Sequence, residues 1–155
     1  MKSRKPFSLE EFKLIYSKAP RVTVDLIINN NKGVLLTKRA IDPGKNLWHL
    51  PGGTVLYGNS IEDTIQEVAE DELGTKVKII QFIGFDELFK SQQIISHTIA
   101  LVYLVKPLGD IKLNAEASAF DYFENLPENM IKDQKEFLQS LKKTDPLHLL
   151  SENKS

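Results

Sequence analysis

Six carboxylates and a pair of adjacent glycines lie close together in residues 48–74, which read WHLPGGTVLYGNSIEDTIQEVAEDELG. Glycine tolerates positive φ and lets the backbone approach a ligand, so that carbonyls can face a cation and amides can face phosphate oxygens. Carboxylate oxygens are the side-chain ligands that Mg²⁺ prefers. A glycine turn followed by an acidic helix therefore predicts a site for a metal ion and phosphate. The PGG motif alone does not predict a site, because most such motifs are simply turns.

Glu72 differs from the other acids because it lies on the apolar face of the predicted helix, within ~20° of Ile65 at ~100° per residue. The stripe predicted to be buried comprises Ile61, Ile65, Val68 and Ala69. An unpaired carboxylate on that face would cost several kcal/mol or would remain protonated. A bound cation is one explanation, and fraying of the last turn, which would let Glu72 reach water, is the other. Asp71, at the edge of the stripe, is the next candidate ligand.

Cations and histidines elsewhere in the chain are further candidates. Lys38 and Arg39 end a predicted strand, where they could contact phosphate or simply be solvated. His97, in the segment SHTIALVY, is a candidate general base or a half-exposed strand residue. His49 should point outward from a short strand.

The elements that must position these residues alternate between strands and helices, without an internal repeat. A short helix before Pro20 has Ser8 as its predicted cap and Glu11 as the capping-box partner. The acidic helix should begin after Asn59, with Glu62 as the partner. Strands are predicted at residues 22–29, 34–39, 48–50, 77–85, 94–105 and 120–123, and a last helix at residues 133–141. The first two strands are joined by NNNKG and should form a hairpin.

The composition fits one globular domain. The chain has 155 residues, with 20 Lys and Arg against 21 Asp and Glu, so its formal charge is -1. This near balance predicts no general attraction to nucleic acid or to an anionic membrane. The longest apolar run, residues 99–105, is far shorter than the roughly 20 residues that span a bilayer. Without cysteine or an apolar signal peptide, we expect a cytoplasmic protein with neither disulfides nor thiolate metal ligands.

Tryptophan, a short spacer, Pro-Gly-Gly and a helix ending in acidic residues and Leu-Gly resemble the signature of the Nudix hydrolases. That signature is G-x5-E-x7-R-E-U-x-E-E-x-G-U, with U aliphatic. Without gaps, Gly53 takes the first position and Gly74 the late glycine, with 20 residues between them. Asp71 and Glu72 then occupy the paired acidic positions. The resemblance implies an α/β/α sandwich with a mixed β-sheet, here with an extra N-terminal helix.

The middle of the signature departs from the family pattern. Asn59 stands where the first glutamate is expected, Glu67 where arginine is expected, and Val68 where a metal-binding glutamate is expected. An alternative alignment with a bulge near Leu73 would restore an acidic cluster on one helix face. It places Gln66, Glu67, Glu70 and Asp71 at the R, E, E and E positions.

Most of the chain resembles one Nudix branch, the GDP-mannose mannosyl hydrolases. The likeness includes an amphipathic N-terminal helix, a strand carrying aspartate like VTVDLIIN, a strand ending in Lys-Arg like LLTKR, and a box ending like DELG. It implies that Asp25 and Arg39 contact the ligand, that the Gly52 carbonyl binds the metal, and that Glu72 is the principal metal ligand. The branch itself lacks the helix glutamate that is Val68 here.

The branch also carries a Glu-Gln-His cluster before its last strand, with glutamine on the metal and histidine as the base. In this chain Glu116 is retained, whereas Ala117 and Ser118 stand at the other two positions and cannot replace them. The base is therefore unassigned, and His97 is the remaining candidate.

These inferences predict a Mg²⁺-dependent hydrolase, with Mn²⁺ as an alternative cofactor, acting on a nucleoside diphosphate linked to another group, such as GDP-mannose. The alternative is a Nudix-fold nucleotide-binding module with little or no turnover. Predicted catalytic residues are Glu72, Asp71 and His97; predicted substrate contacts are Asp25, Lys38, Arg39 and Gly53; predicted metal ligands are Gly52, Glu72, Asp71 and Glu116.

Residues 1–143 are predicted to form a single domain, with residues 1–19 as a helical extension, and residues 144–155 a tail. The predicted partner is a small-molecule nucleotide, with neither nucleic acid nor membrane. The resemblance also implies a homodimer.

Overall fold

A computed structural model describes residues 5–42, 44–89 and 97–143. In chain order its elements are α1 (Leu9–Tyr16), β1 (Arg21–Ile27), β2 (Asn29–Asn30), β3 (Gly33–Arg39), β4 (Trp48–His49), β5 (Gly52–Thr54), α2 (Ile61–Leu73), β6 (Val77–Leu88), β7 (Thr98–Pro107), β8 (Ala117–Phe123) and α3 (Lys132–Leu141). The predicted tail and the start of the strand predicted at residues 94–105 lie outside the described residues.

The strands form two four-stranded sheets. In the first sheet the order is β5-β1-β7-β6, with β1 and β7 parallel and the other neighbours antiparallel. In the second sheet β2, β4 and β8 each pair antiparallel with β3. The first sheet is therefore mixed, as predicted.

Two hydrophobic cores lie on opposite faces of the first sheet, because alternate residues of a strand point to opposite sides. Leu26 of β1 belongs to the core that α2 completes, and the neighbouring Ile27 belongs to the core that α3 completes. The residues that α2 contributes are Ile65, Val68, Ala69 and Leu73. The helices thus cover the sheet from both sides, which confirms the predicted α/β/α sandwich and the predicted apolar stripe of α2.

The helix starts follow the capping rules, with one shift from the prediction. In α1 the Glu11 amide donates to Ser8 Oγ (3.2 Å) and the Ser8 amide donates to Glu11 Oε2 (2.8 Å), which confirms the predicted capping box. In α2 the cap is Ser60, whose Oγ accepts from the Asp63 amide (3.0 Å). The predicted cap at Asn59 was wrong by one residue because Ser60 still has extended backbone angles.

Two local predictions were altered by long-range pairing. The predicted hairpin is limited to Asn29 opposite Val34 and Asn30 opposite Gly33, because β1 pairs with β5 and β7 instead of β3. The predicted glycine turn is a strand, with residues 52–54 pairing antiparallel with β1. Both changes satisfy the backbone groups of β1 on its two edges.

The helices are short. The 13 residues of α2 make it the longest helix of the described residues, and none of these helices is long and apolar enough to cross a bilayer.

Candidate functional site

Glu72 lies at the end of α2, where its Oε2 accepts a hydrogen bond from the Gly52 amide at 3.1 Å. Its side chain is partly buried, and this burial raises the pKa of the carboxyl to about 8. The Gly52 amide opposes the rise, whereas the nearby carboxylates of Asp71, Asp25 and Glu116 add to it. The sequence predicted that a carboxylate on this face needs a partner, and the Gly52 amide is one such partner. It stabilises the charge of Glu72 only in part, because the pKa remains raised.

A small cavity opens beside Glu72 between α2 and the second sheet. Its lining residues are Thr37, Arg39, His49, Glu72, Asn114, Glu116 and Ala117. The cavity measures about 20 Å³, which is room for a water molecule or an ion rather than for a nucleotide. Of the residues predicted from the sequence, Glu72, Glu116 and Arg39 are brought together here.

Asp25 lies opposite Gly52 in the first sheet. The two residues are cross-strand partners on β1 and β5, and a Cβ on Gly52 would stand only 2.3 Å from Asp25 Oδ1. Burial raises the pKa of Asp25 to about 7, with Arg21 opposing and Asp86 adding to the rise. Glycine is required at position 52 because the Asp25 carboxylate occupies the space that a side chain would take. Gly53, a predicted substrate contact, is the next β5 residue and pairs with Val24.

The strand β3 separates the two basic residues that the sequence placed together. Arg39 lines the cavity, whereas Lys38 lies on the other face of the strand, with its Nζ 5.7 Å from the centre of the Trp48 ring. Of these two residues, Arg39 is therefore the one positioned to contact an anion bound beside Glu72.

Asp71 and Glu116, two predicted metal ligands, have different surroundings. The Asp71 side chain is exposed and is absent from the cavity lining. Glu116 lines the cavity and forms an ion pair with Lys5. Its own backbone is fixed, since its amide donates to Asn114 Oδ1 (3.0 Å) and its carbonyl accepts from the Ala40 amide (2.9 Å).

His97, the predicted base, is not brought to this cavity. Its Nε2 lies 3.1 Å from Glu87 Oε2, and its ring stacks on Phe89 at 4.5 Å. It precedes Thr98, which pairs with Arg21, whereas Gly52 is level with Asp25, four residues further along β1. At ~3.3 Å per strand residue this offset exceeds ~13 Å, so the role of His97 as base remains a prediction without support from the geometry.

His49 is a cavity residue that the sequence did not identify. Its Nδ1 lies 2.7 Å from the Leu50 carbonyl oxygen and its Nε2 lies 3.2 Å from Thr37 Oγ1. Burial lowers the pKa of the ring to about 4, and the charge of Arg39 contributes to the lowering. The ring is therefore neutral at pH 7, donating through Nδ1 and accepting through Nε2. The prediction that His49 points outward from its short strand was wrong, because its ring lines the cavity. Alternation with Trp48 separates the two faces of the strand but does not indicate which face is covered.

Two residues that depart from the family signature, Asn59 and Glu67, contact each other. Asn59 Nδ2 donates to Glu67 Oε2 at 3.1 Å, so the residues at the expected glutamate and arginine positions remain in contact. Val68 is buried in the core. The helix continues unbroken through Leu73, which leaves no bulge for the alternative alignment.

The residues of the cavity fit a hydrated divalent cation held by few protein ligands. Glu72, Glu116 and Asn114 offer hard oxygen donors, and Glu72 is a partly buried carboxylate in the field of three others. No three His, Asp or Glu side chains in the described part of the chain are already arranged as a metal site. Such a cation would therefore keep several waters, as Mg²⁺ commonly does.

Comparison with known proteins gives consistent matches. Residues 19–141 match the family model described as the NUDIX domain. The low-salt glycan biosynthesis protein Agl8 of Haloferax volcanii is 39% identical over 80 residues, which are 52% of this chain and 51% of that protein. The match thus spans about half the length of Agl8.

Two further relatives match over more of their length. An ADP-ribose pyrophosphatase of Methanocaldococcus jannaschii is 30% identical over 124 residues, covering 74% of this chain and 72% of that protein. The crystal structure of a MutT NUDIX hydrolase from Burkholderia pseudomallei superposes with a TM-score of 0.70 and 25% identity. That match covers 78% of this chain and 97% of the other.

Proposed function

The chain belongs to the Nudix domain family, and on that basis we propose that it hydrolyses a nucleoside diphosphate linked to another group with the help of a divalent cation. The family match and the hydrolase relatives support the coarser prediction of a Nudix-type hydrolase. The cation, the substrate and the roles of the individual residues are the proposal.

The observation that carries the proposal is the environment of Glu72. A carboxylate with a pKa raised to about 8 is costly to keep charged at neutral pH, and a side chain kept only for packing would not need that charge. The same cavity presents the Glu116 carboxylate and the Arg39 guanidinium. Two acids and one arginine around an ion-sized space suit a cation that itself binds an anionic substrate.

Each residue then has a role set by its charge. Glu72 and Glu116 would hold the cation, and the Asn114 amide oxygen would supply a neutral ligand or orient a bound water. Arg39 contacts a phosphate oxygen, for which its planar guanidinium is well suited. A divalent cation bound there would neutralise diphosphate charge and stabilise the leaving group.

The proposed substrate class is a nucleotide sugar. The ADP-ribose pyrophosphatase is named for a nucleoside diphosphate joined to a sugar, and Agl8 is named for glycan biosynthesis. The resemblance to GDP-mannose mannosyl hydrolases supports the same substrate class, because it includes the altered acidic helix and the aspartate of β1. GDP-mannose is accordingly the first substrate to test.

The test is hydrolysis of GDP-mannose, other nucleotide sugars and ADP-ribose with Mg²⁺, with Mn²⁺ and with chelator. We expect metal-dependent turnover that Glu72→Gln lowers by at least about 100-fold, because the variant loses a metal ligand. Glu70→Gln, two residues earlier on α2 and absent from the cavity lining, is the matched control and should retain activity within about twofold.

The products distinguish the bond that breaks. Nucleoside diphosphate and free sugar indicate attack on the sugar carbon, and nucleoside monophosphate and sugar phosphate indicate attack on phosphorus. Turnover that survives in Glu72→Gln would refute the proposed role of Glu72. Tight binding of a substrate without any turnover would refute the hydrolase proposal in favour of a binding module.

A further inference from the structure

The segment before α1 places a lysine at the candidate site. Lys5 Nζ forms an ion pair with Glu116 Oε1, and Glu116 lines the cavity that contains Glu72. Residue 5 precedes the part of the chain that matches the family model, which begins at residue 19. Lys5 is therefore an addition to the shared Nudix domain rather than one of its common site residues.

We propose that Lys5 is a substrate-binding residue that pairs with Glu116 in the free protein and moves to a diphosphate oxygen when a divalent cation binds Glu116. This inference rests on the function proposed above. It concerns a residue of this chain that lies outside the family signature.

The ion pair is suited to such an exchange because it lies at the solvent-exposed rim. The Lys5 and Glu116 side chains are 70% and 49% exposed, respectively. Exposed ion pairs contribute little free energy, because water and salt screen them. A divalent cation can therefore displace the Lys5 ammonium from Glu116 without disturbing the fold.

Lys5 would nevertheless stay close after displacement, because Ser8, three residues later, is anchored to α1. The capping box fixes Ser8 to the start of α1, and three residues of extended chain reach at most ~11 Å. The helix itself is held by Phe12, whose ring lies 5.8 Å from the Arg21 guanidinium carbon. The lysine is thus confined to the neighbourhood of the cavity.

Charge balance gives the direction of the exchange. When Glu72 is ionised, it and Glu116 carry two negative charges, which Arg39 and Lys5 balance. A divalent cation on the two carboxylates leaves the lysine and the arginine with an excess of two positive charges. A nucleotide sugar carries two negative charges on its diphosphate, so it would restore neutrality.

The experiment compares wild type, Lys5→Gln and Lys5→Arg, with Lys13→Gln on the exposed side of α1 as the matched control. Mn²⁺ binding is measured without substrate by calorimetry. Removing the competing ammonium in Lys5→Gln should tighten Mn²⁺ binding about two- to fivefold, since this is what loss of a surface ion pair allows. Lys5→Arg and Lys13→Gln should match wild type within about twofold.

The second readout is GDP-mannose affinity with saturating Mn²⁺, measured as KM and as equilibrium binding. Lys5→Gln should raise KM and Kd about five- to tenfold while kcat changes less than about threefold, because the lost contact is to bound diphosphate. Lys5→Arg should restore most of the affinity. The opposite effects on Mn²⁺ and on substrate are the signature of a lysine that moves between them.

The outcomes separate this inference from the proposed function. Wild type that neither binds Mn²⁺ nor binds or hydrolyses the substrate overturns both. A functional wild type with Lys5→Gln unchanged in Mn²⁺ affinity and in KM overturns the exchange alone and leaves a surface ion pair. A higher KM with unchanged Mn²⁺ binding also overturns it, because Lys5 would then not compete for Glu116.

Discussion

Glu72 and Asp25 are two acids that the fold buries around one glycine. Burial raises the pKa of Glu72 to about 8 and that of Asp25 to about 7. The charge of Asp25 adds to the rise at Glu72, whereas the charge of Arg21 opposes the rise at Asp25. Gly52 contacts both acids, since its amide donates to Glu72 and its lack of a Cβ leaves space for Asp25. In the absence of metal, keeping these two carboxyl groups charged therefore lowers the stability of the folded protein.

Glu72 should make the metal-free protein less stable as the pH rises from about 5 to about 8. In this window the unfolded carboxyl, with its ordinary pKa of 4.5, has lost its proton, whereas the folded one still holds it. The folded state binds more protons, so its stability falls with rising pH. Between pH 5 and pH 8.5, the free energy of unfolding of Glu72→Gln should increase by about 1–3 kcal/mol relative to that of wild type.

Urea denaturation in the presence of EDTA measures this difference at each pH, and the comparison cancels the titration of other groups. Glu70→Gln is again the control and should follow wild type. A Glu72→Gln curve parallel to that of wild type would show that the carboxyl titrates normally in the folded protein.

The helix α2 is the element on which the site depends, and its two ends are fixed differently. At its start Ser60 caps the Asp63 amide, and at its end Gly74 adopts the left-handed conformation, with φ 66°. A Cβ on Gly74 would also stand 2.8 Å from the Lys112 carbonyl oxygen. The late glycine of the signature thus serves both helix termination and close packing.

Gly74→Ala should destabilise the protein by about 2–4 kcal/mol, because it combines a positive φ with overpacking against Lys112. Gly74→Asn separates the two causes, since asparagine tolerates the left-handed conformation but also carries a Cβ. In chemical denaturation, we expect the free energy of unfolding of Gly74→Asn to exceed that of Gly74→Ala by less than about 1 kcal/mol. Nearly full recovery would mean that the backbone angle, and not the contact with Lys112, limits this position.

The contact between Asn59 and Glu67 replaces the glutamate and arginine expected in the family. Asn59→Glu would oppose two carboxylates and should cost about 0.5–1 kcal/mol, and the double variant Asn59→Glu, Glu67→Arg should recover it. A double-mutant cycle in urea, completed with Glu67→Arg alone, gives the coupling. Additive effects of the two substitutions would show that the contact between residues 59 and 67 does not contribute to stability.

At the scale of the whole molecule, the stability resides in the two cores rather than in the N-terminal helix. None of the residues of α1 is buried, and both cores are built within residues 24–141. The helix is linked to the domain by the Phe12 contact with Arg21 and by the ion pair of Lys5. It is therefore an attachment at the edge of the site.

Removal of residues 1–17 should lower Tm by no more than about 5 °C, since the lost contacts amount to about 1–2 kcal/mol. Differential scanning calorimetry of the truncated chain measures this shift. A truncated protein that fails to fold would place α1 within the cooperative unit, contrary to its exposure.

Features that depend on one element were determined by the sequence alone. Helical periodicity predicted the buried stripe of α2 and the position of Glu72 beside it, and the residue preferences of helix ends predicted the capping box at Ser8. The glycine spacing and the acidic pair carried the family resemblance. These predictions succeeded because side-chain direction within a helix or strand follows from local geometry.

The membership of the site was decided only by the tertiary structure. Arg39 lines the cavity and Lys38 does not, His49 replaces His97 as the nearby imidazole, and Gly52 lies in a strand rather than a turn. Each outcome depends on which distant strand pairs with β1 or β3. Periodicity fixes the direction in which a residue points within its own element, but the group it meets is set by long-range pairing, which a local pattern does not specify.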